Sequence, residues 1–457
     1  MKSTASPKKR LWTKNFAILT IGSYVSMLGN SVSGYIISLM IYDMTQSVFL
    51  FSVFTVAFYL PKMLLSMFAG AYMDRFSRKK VIYTLDFISA ALYSLIFVLA
   101  LFRLNYYWLF LVLVLIVGCI NGIYEVAFNS LFPNIVSKDC YTKAYAVSSM
   151  IQPLALCMIP VASVIYYNFG SAAPLFIFNA LAFLTAAIFE TRIDFDERHI
   201  KSEDSRTLRE YAKDIKEGFR FTAGDKGLLA ITLYFAVMNF ASGGYGALAL
   251  PFFKGHPEHF AHVEEQFPLV INICEHLGGF GEVIYKGFHY ITSDTATLYT
   301  FVMAFGVVGR LLGGWIQYRL KYKAKQRFTV CVISCLIIAS LDMVMLYLPV
   351  RYMVLACMTT GLFSIAVNNV RMSTTQAYVP DFRRARFVSL FEMMFAAGNI
   401  LGHLAGGALG EFFEERTIIA GFNVLNIVIL LVLIVGNASS VKKIYNIEIK
   451  DPEKKST

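Results

Sequence analysis

Long apolar runs, each about the length of a bilayer crossing and separated by short polar joints, constrain this chain more than any other feature. A helix needs roughly 20 apolar residues to cross hydrocarbon. Such runs fall near 16–43, 47–73, 79–102, 107–131, 142–167, 173–191, 227–253, 294–318, 328–348, 352–377, 386–409 and 417–439. The expected fold is therefore an all-α membrane protein with twelve transmembrane helices. A soluble domain of this length would not combine 57% hydrophobic residues with 16% charged ones and a mean hydropathy of +0.58.

An even number of crossings puts both termini on one side. With that side cytoplasmic, 33 of the 41 Lys and Arg residues fall in inner segments or at their edges, five fall in outer segments and three lie within spans. The positive-inside rule fixes the orientation accordingly, and reversal would require moving almost every basic loop across the membrane. The net charge of +11 thus follows topology and carries no nucleic-acid reading. Seven cysteines mark no disulfide framework: Cys119, Cys157, Cys331, Cys335 and Cys357 lie in spans, Cys140 is inside and Cys274 outside. Lys8, Lys9, Arg10 and Lys14 ahead of the first run look like a signal peptide. That run is too long and lacks a small-residue cleavage site, so it reads as an uncleaved first span.

Between spans 2 and 3 lies a tight cationic turn, Gly70-Ala71-Tyr72-Met73-Asp74-Arg75-Phe76-Ser77-Arg78-Lys79-Lys80. Gly70 permits close backbone approach, Asp74 suits a helix N-terminus, and the cations hold the turn on the positive side. The spacing G-x-x-x-D-R-x-x-R-K resembles the loop between spans 2 and 3 of the major facilitator superfamily of transporters. With the polar centre of span 1 (Gly29, Asn30, Ser31, Ser33, Gly34) and Pro61, the layout is similar to the macrolide-efflux branch of the drug:proton antiporters. That likeness is clear over the first 150 residues and thinner beyond.

An internal echo agrees with two six-span halves. Span 4 ends in Asn121-Gly122 with Pro133 further on, and span 10 ends in Asn368-Asn369 with Pro380 at the same separation. The Gly314-Trp315-Ile316-Gln317-Tyr318-Arg319 stretch after span 8 copies the Gly70 turn, with tyrosine at the aspartate position. The expected organisation is a bundle over 1–191, a cytoplasmic linker over 192–226, a second bundle over 227–439 with an extended outer loop at 254–293, and a cytoplasmic tail over 440–457. In the linker, Leu208, Tyr211, Ile215, Phe219 and Phe221 alternate with basic residues, the pattern of an amphipathic helix on the inner membrane face. The outer loop is longer than this family usually shows. Its His256, His259 and His262 drift around a helix with no completing cysteine pair, so a polar surface loop is expected there and no metal site. Asn272, Gly278 and Gly279 suggest that it folds back.

A charged side chain at mid-bilayer costs on the order of 3 kcal/mol, so each asks for an explanation. Lys62 falls near the middle of span 2; it either bonds to carbonyls or an unseen acid, or faces a cavity and attracts anionic groups. Glu125 lies about eighteen residues into span 4, close to the inner surface. The resemblance implies that it pairs with Arg75 or Arg78 and helps latch the outward-open state, with Asp74 against the start of span 11; the competing reading makes it a proton carrier. Arg310 and Arg371 read as interfacial, with Glu392 a partner for Arg371, and Asp342 and His403 are deep ionisable groups. Gly398, Gly402, Gly406 and Gly410 form a four-residue small repeat in span 11 that permits close helix contact. Span 5 has Pro153 and Pro160 without the accompanying glycines usual in such antiporters, and Asn30 stands where a membrane aspartate is often found. Proton coupling is thereby in question.

No phosphate-cradling glycine loop, zinc-ligand spacing or nucleophile–base pair occurs, so no enzyme activity, cofactor or metal is expected. The resemblance implies a secondary transporter of the plasma membrane that alternates access to a central site. It would act as a monomer and export a hydrophobic or amphipathic small molecule, with protons as a possible coupling ion. Asn30, Lys62, Asn121, Asn239, Asn368 and Asn369 are the expected substrate-binding groups, and Gly70, Asp74, Arg75, Arg78 and Glu125 the expected gate. Two rivals stand beside it: an importer or uniporter of a small anionic solute working through Lys62, and a non-transporting receptor using the outer loop.

Overall fold

A computed structural model describes residues 12–73, 76–104, 106–136, 158–194, 208–319 and 323–447, with a few single positions between 144 and 155. The predicted crossings become α1 (Lys14–Thr45), α2 (Val48–Met73), α3 (Arg78–Leu101), α4 (Tyr107–Ile135), α5 (Ile159–Phe169) and α6 (Ala173–Glu190). After the linker helix α7 (Leu208–Gly224) come α8 (Lys226–Gly255), the outer helices α9 (Pro268–His276) and α10 (Gly278–Ser293), then α11 (Thr295–Arg319), α12 (Arg327–Val344), α13 (Val350–Tyr378), α14 (Asp381–Gly410), α15 (Glu415–Ile429) and α16 (Ala438–Tyr445). Among the described residues, eleven helices are long and apolar enough to cross a membrane. The remaining expected crossing, 142–167, is described only in part, with α5 as its continuous end.

Local chemistry sets the helix starts. Thr13 accepts the Phe16 amide at 3.3 Å, Ser77 accepts that of Lys80 at 3.2 Å, and Asp225 accepts those of Gly227 and Leu228 at 2.8 and 3.0 Å. Each cap satisfies backbone donors that the first turn leaves without a partner. Gln46 ends α1 in the left-handed region, φ 50°.

The chain divides into two compact units. The first comprises 1–46 and 57–211, the second 47–56 and 212–457, so α2 contributes its first turns to one and its remainder to the other. In the first unit α6 packs on α1 and α3, and in the second α15 packs on α8 and α12. The same pairing of crossings six apart in order is the arrangement that a duplicated half would leave. Glycines draw the matching partners together. A Cβ on Gly118 or Gly122 of α4 would lie 2.4 Å from the Phe58 carbonyl or 2.8 Å from that of Lys62 on α2. Gly309 and Gly313 of α11 stand likewise at 2.0 and 2.5 Å from the carbonyls of Met358 and Leu362 on α13. The small repeat of α14 does what its spacing suggests, with Gly398 against the Ala236 carbonyl and Gly402 against that of Phe240, both on α8.

The outer segment does fold back, through helices rather than as a plain polar loop. Gly281 of α10 meets the Cys274 carbonyl of α9 so closely that no side chain fits. Glu264 accepts from Thr292 Oγ1 at 2.9 Å, Tyr285 OH at 3.3 Å and His289 Nδ1. Its partial burial pushes the carboxyl up, but these donors outweigh burial and hold it below its ordinary range. The histidine row disperses: His256 stacks on Phe252, and His262 bonds to Glu265 at 3.2 Å. Of the linker helix, the end that is described docks on the second unit, through an ion pair of Glu217 with Arg386 and the Arg383 guanidinium 4.9 Å from the Phe221 ring. In the expected tail, α16 buries Val441, Ile444 and Tyr445 in the core of that same unit.

Candidate polar site within the membrane helices

In the first unit, polar side chains of four helices meet in one connected track. Tyr93 of α3 donates its hydroxyl to Asn30 Oδ1 of α1 at 3.1 Å, and Asn30 Nδ2 donates to Asn121 Oδ1 of α4 at 2.8 Å. The second amide is finished by the backbone, since Asn121 Nδ2 donates to the Val117 carbonyl at 2.9 Å. One turn along α4, Glu125 makes an ion pair with Lys62 of α2 at 3.1 Å. Of the expected binding groups, Asn30 and Asn121 are hydrogen-bonded to one another, and Lys62 is paired with Glu125. The unseen acid beside Lys62 is Glu125.

Of the cations expected beside Glu125, Arg78 donates Nη1 to the Ser130 carbonyl at 3.0 Å, which ties the start of α3 to α4. Asp74 and Arg75 lie outside the described residues, and Gly70 lies in the last turns of α2. Close approach of α2 and α4 at Gly122 brings Lys62 into reach of Glu125.

The Lys62 and Glu125 side chains are 37% and 50% exposed. Hydrocarbon does not solvate an ion pair at that exposure, and lipid-facing charges near mid-bilayer cost several kcal/mol. An ion pair so exposed requires water or a ligand beside it wherever it lies at hydrocarbon depth. Its charges cancel, so the track as a whole is polar and close to neutral.

In the second unit the expected groups are more dispersed. Asn239 of α8 donates to the Phe395 carbonyl of α14 at 2.7 Å, and the exposed Asn369 of α13 donates to Gln317 Oε1 of α11 at 2.6 Å. Asn368 accepts from Arg371 Nη2 at 3.4 Å. The Arg371 guanidinium lies 4.1 Å from the centre of the Phe391 ring and 5.4 Å from that of Phe235, a cation–π sandwich between α14 and α8. His403 is buried on α14 with Gly246 against its ring.

A second polar layer escaped the sequence reading. Asp86 of α3 and Glu190 of α6 are 1% and 0% exposed, and their carboxyl groups lie within hydrogen-bonding reach of one another. Ser26 of α1 donates to Asp86 Oδ2 at 3.1 Å, and Tyr124 of α4 donates to Glu190 Oε1 at 3.5 Å. With the Tyr124 proton so used, Ser23 is the donor in its 3.5 Å contact with that hydroxyl. The signal available in the sequence was an acid eight residues into an apolar run and another at the last position of a span.

The profile of the Major Facilitator Superfamily matches residues 19–378, and the chain belongs to that superfamily of transporters. Macrolide efflux protein A of Streptococcus pyogenes is 23% identical over 262 residues, which are 56% of this chain and 64% of that protein. An MFS-type transporter of Bacillus subtilis, YkuC, is 24% identical over 244 residues, 52% of this chain and 56% of its own length. The chain thus spans less than two thirds of the relatives it matches. Among solved structures, a mutant of the nucleoside transporter NupG superposes with a TM-score of 0.67 at 12% identity, covering 92% of this chain and 99% of that one. A mutant of the peptide transporter POT does so with a TM-score of 0.65 at 12% identity, covering 96% and 97%. At such identities the structures speak for the fold alone.

Proposed function

We propose that this protein exports a hydrophobic or amphipathic small molecule by alternating access, as a monomer in the plasma membrane with both termini cytoplasmic. The single observation that carries the site assignment is the half-exposed Lys62–Glu125 pair within the membrane helices, because only water or cargo supports it there. Asn30, Tyr93 and Asn121 are the neighbouring polar groups on α1, α3 and α4, and Asn239, Asn368 and Asn369 remain proposed binding groups of the second unit. Gly70, Asp74, Arg75 and Arg78 remain the proposed gate, with Glu125 moved from gate to site. Export of an amphipathic cargo is supported by the match to macrolide efflux protein A. The anionic-solute alternative is weakened because Glu125 neutralises the cation on which it depends.

Purified protein in liposomes loaded with unlabelled macrolide should accumulate labelled macrolide from outside by counterflow, saturably and above empty liposomes. Lys62→Met and Glu125→Gln should each reduce that flux at least tenfold. Counterflow equal to that of empty liposomes for macrolides, together with uptake of an organic anion that Lys62→Met abolishes, would overturn export in favour of the anionic reading.

A further inference from the structure

Two carboxyl groups side by side, both sealed from solvent, set an electrostatic problem with one economical solution. If both ionise, two like charges sit in an apolar interior with no cation among the described residues to offset them, and such pairs hold a proton instead. Among the described residues the groups facing the pair are few. From α4 comes Tyr124, from α1 come Ser23 and Ser26, and Gly22 of α1 packs its backbone on Glu190. None of them is a cation. Arg192, two residues beyond Glu190, is taken up by the Phe189 ring at 5.9 Å.

The donor count points to the same ligand independently. Ser26 and Tyr124 together supply one hydrogen to each carboxyl, and Asp86 Oδ1 and Glu190 Oε2 remain buried without a partner. Buried acceptors left bare are costly. A single proton between the carboxyls turns one acceptor into a donor. The carboxyls and the hydroxyls of Ser26 and Tyr124 are all groups that exchange protons.

The layer adjoins the proposed cargo site through rigid helix. Ser26 precedes Asn30 by one turn of α1, Asp86 precedes Tyr93 by two turns of α3, and Tyr124 follows Asn121 by one turn of α4. A turn is about 5.4 Å, so the same three helices carry both layers. A shift of any one of them that alters the Asn30–Asn121–Tyr93 bonds moves a ligand of the acids too.

We propose that Asp86 and Glu190 share a single proton and form the coupling site of the transporter. A second proton enters from outside and neutralises the singly protonated pair; it leaves to the cytoplasm as the cargo moves outward, and the pair returns to sharing one proton. The coupling half of this statement rests on the export reading above, while the shared proton does not.

Infrared difference spectroscopy of the purified protein, titrated from mildly acidic to alkaline buffer, tests the proton directly. The wild type should show the C=O stretch of a protonated, water-excluded carboxyl at neutral pH. Asp86→Asn with Glu190→Gln should abolish that band while remaining monodisperse. A band unchanged in the double variant, or absent from the wild type across the titration, overturns the proposal; the second outcome stands even where the variant fails to fold. In proteoliposomes, either single variant should lose at least tenfold in macrolide accumulation driven by a pH gradient and keep macrolide counterflow. Gradient-driven accumulation that survives in both single variants overturns the coupling role. Sodium-driven accumulation lost in the same variants would reassign the acids to an alkali cation and overturn it as well. If the band behaves as expected and no macrolide moves in the wild type, the export reading fails while the shared proton stands.

Discussion

Removal of either member of the Lys62–Glu125 pair distinguishes a watered cavity from a buried or lipid-facing ion pair, because the magnitudes differ. At 37% and 50% exposure to water, the pair contributes about 0.2–1 kcal/mol to stability after solvent screening. Were the same surface against hydrocarbon, Glu125→Gln would leave an uncompensated ammonium near mid-helix at a cost of about 3 kcal/mol. Lys62→Met with Glu125→Gln would then recover most of that loss. The assay is a double-mutant cycle on unfolding in bicelles, with steric trapping as the readout, and it isolates the pairwise term. We expect single-variant losses under about 1 kcal/mol, with little recovery in the double variant and the larger effect on counterflow. A loss near 3 kcal/mol in Glu125→Gln, restored in the double variant, would refute the placement of cargo or water beside this pair.

Further outcomes follow from the packing. Gly402→Val should destabilise by about 1–3 kcal/mol in thermal unfolding, because its Cβ lies 2.0 Å from the Phe240 carbonyl and backbone must move. Gly421→Ala in α15 meets nothing within 4 Å and should be neutral or gain up to about 1 kcal/mol from helix propensity. Glu264→Gln should raise hydrogen exchange across 264–293. Because the folded carboxyl is held below its ordinary 4.5, its contribution is present in full above that pH and is lost as pH falls below it, so acid should mimic the variant. Glu411 accepts from Ser47 Oγ at 2.5 Å and from the Phe49 amide at 2.9 Å, bonds that hold its carboxyl below the ordinary range. Glu411→Gln should cost about 1 kcal/mol and speed exchange at the first amides of α2, again with acid below 4.5 acting in the same direction.

What the sequence declared about the fold is what hydrophobic length and glycine spacing can declare. Runs of bilayer length became helices, and the four-residue glycine repeat of α14 found its partner in α8 because small residues at that period line one face. Pairings across helices were less accessible. Lys62 and Glu125 each stand out in the sequence as charges within spans, yet their partnership depends on how closely α2 approaches α4, a distance set by Gly118 and Gly122 that no one-dimensional pattern states. Loop 254–293 reads as polar because its histidines and glutamates dominate the composition. Its helices are marginal in isolation and are secured by the Gly281–Cys274 approach and by Glu264.

The acids illustrate why single positions mislead. Asp86 taken alone is one acid near a basic turn, and Glu190 taken alone is the polar end of a span; each has an ordinary explanation until α3 packs on α6. Asn30, standing where an ionisable group would serve proton coupling, made that coupling doubtful when each helix was weighed by itself. In the folded unit the missing charge lies one layer away, and Asn30 has a different task, holding Tyr93 and Asn121 together above it. In the second unit the matching corner, where α8, α12 and α15 meet, is lined by Tyr234, Cys331 and Cys335. With the coupling charge on Asp86 and Glu190, substituting Cys331 or Cys335 by Ser should leave pH-driven flux intact while Asp86→Asn removes it.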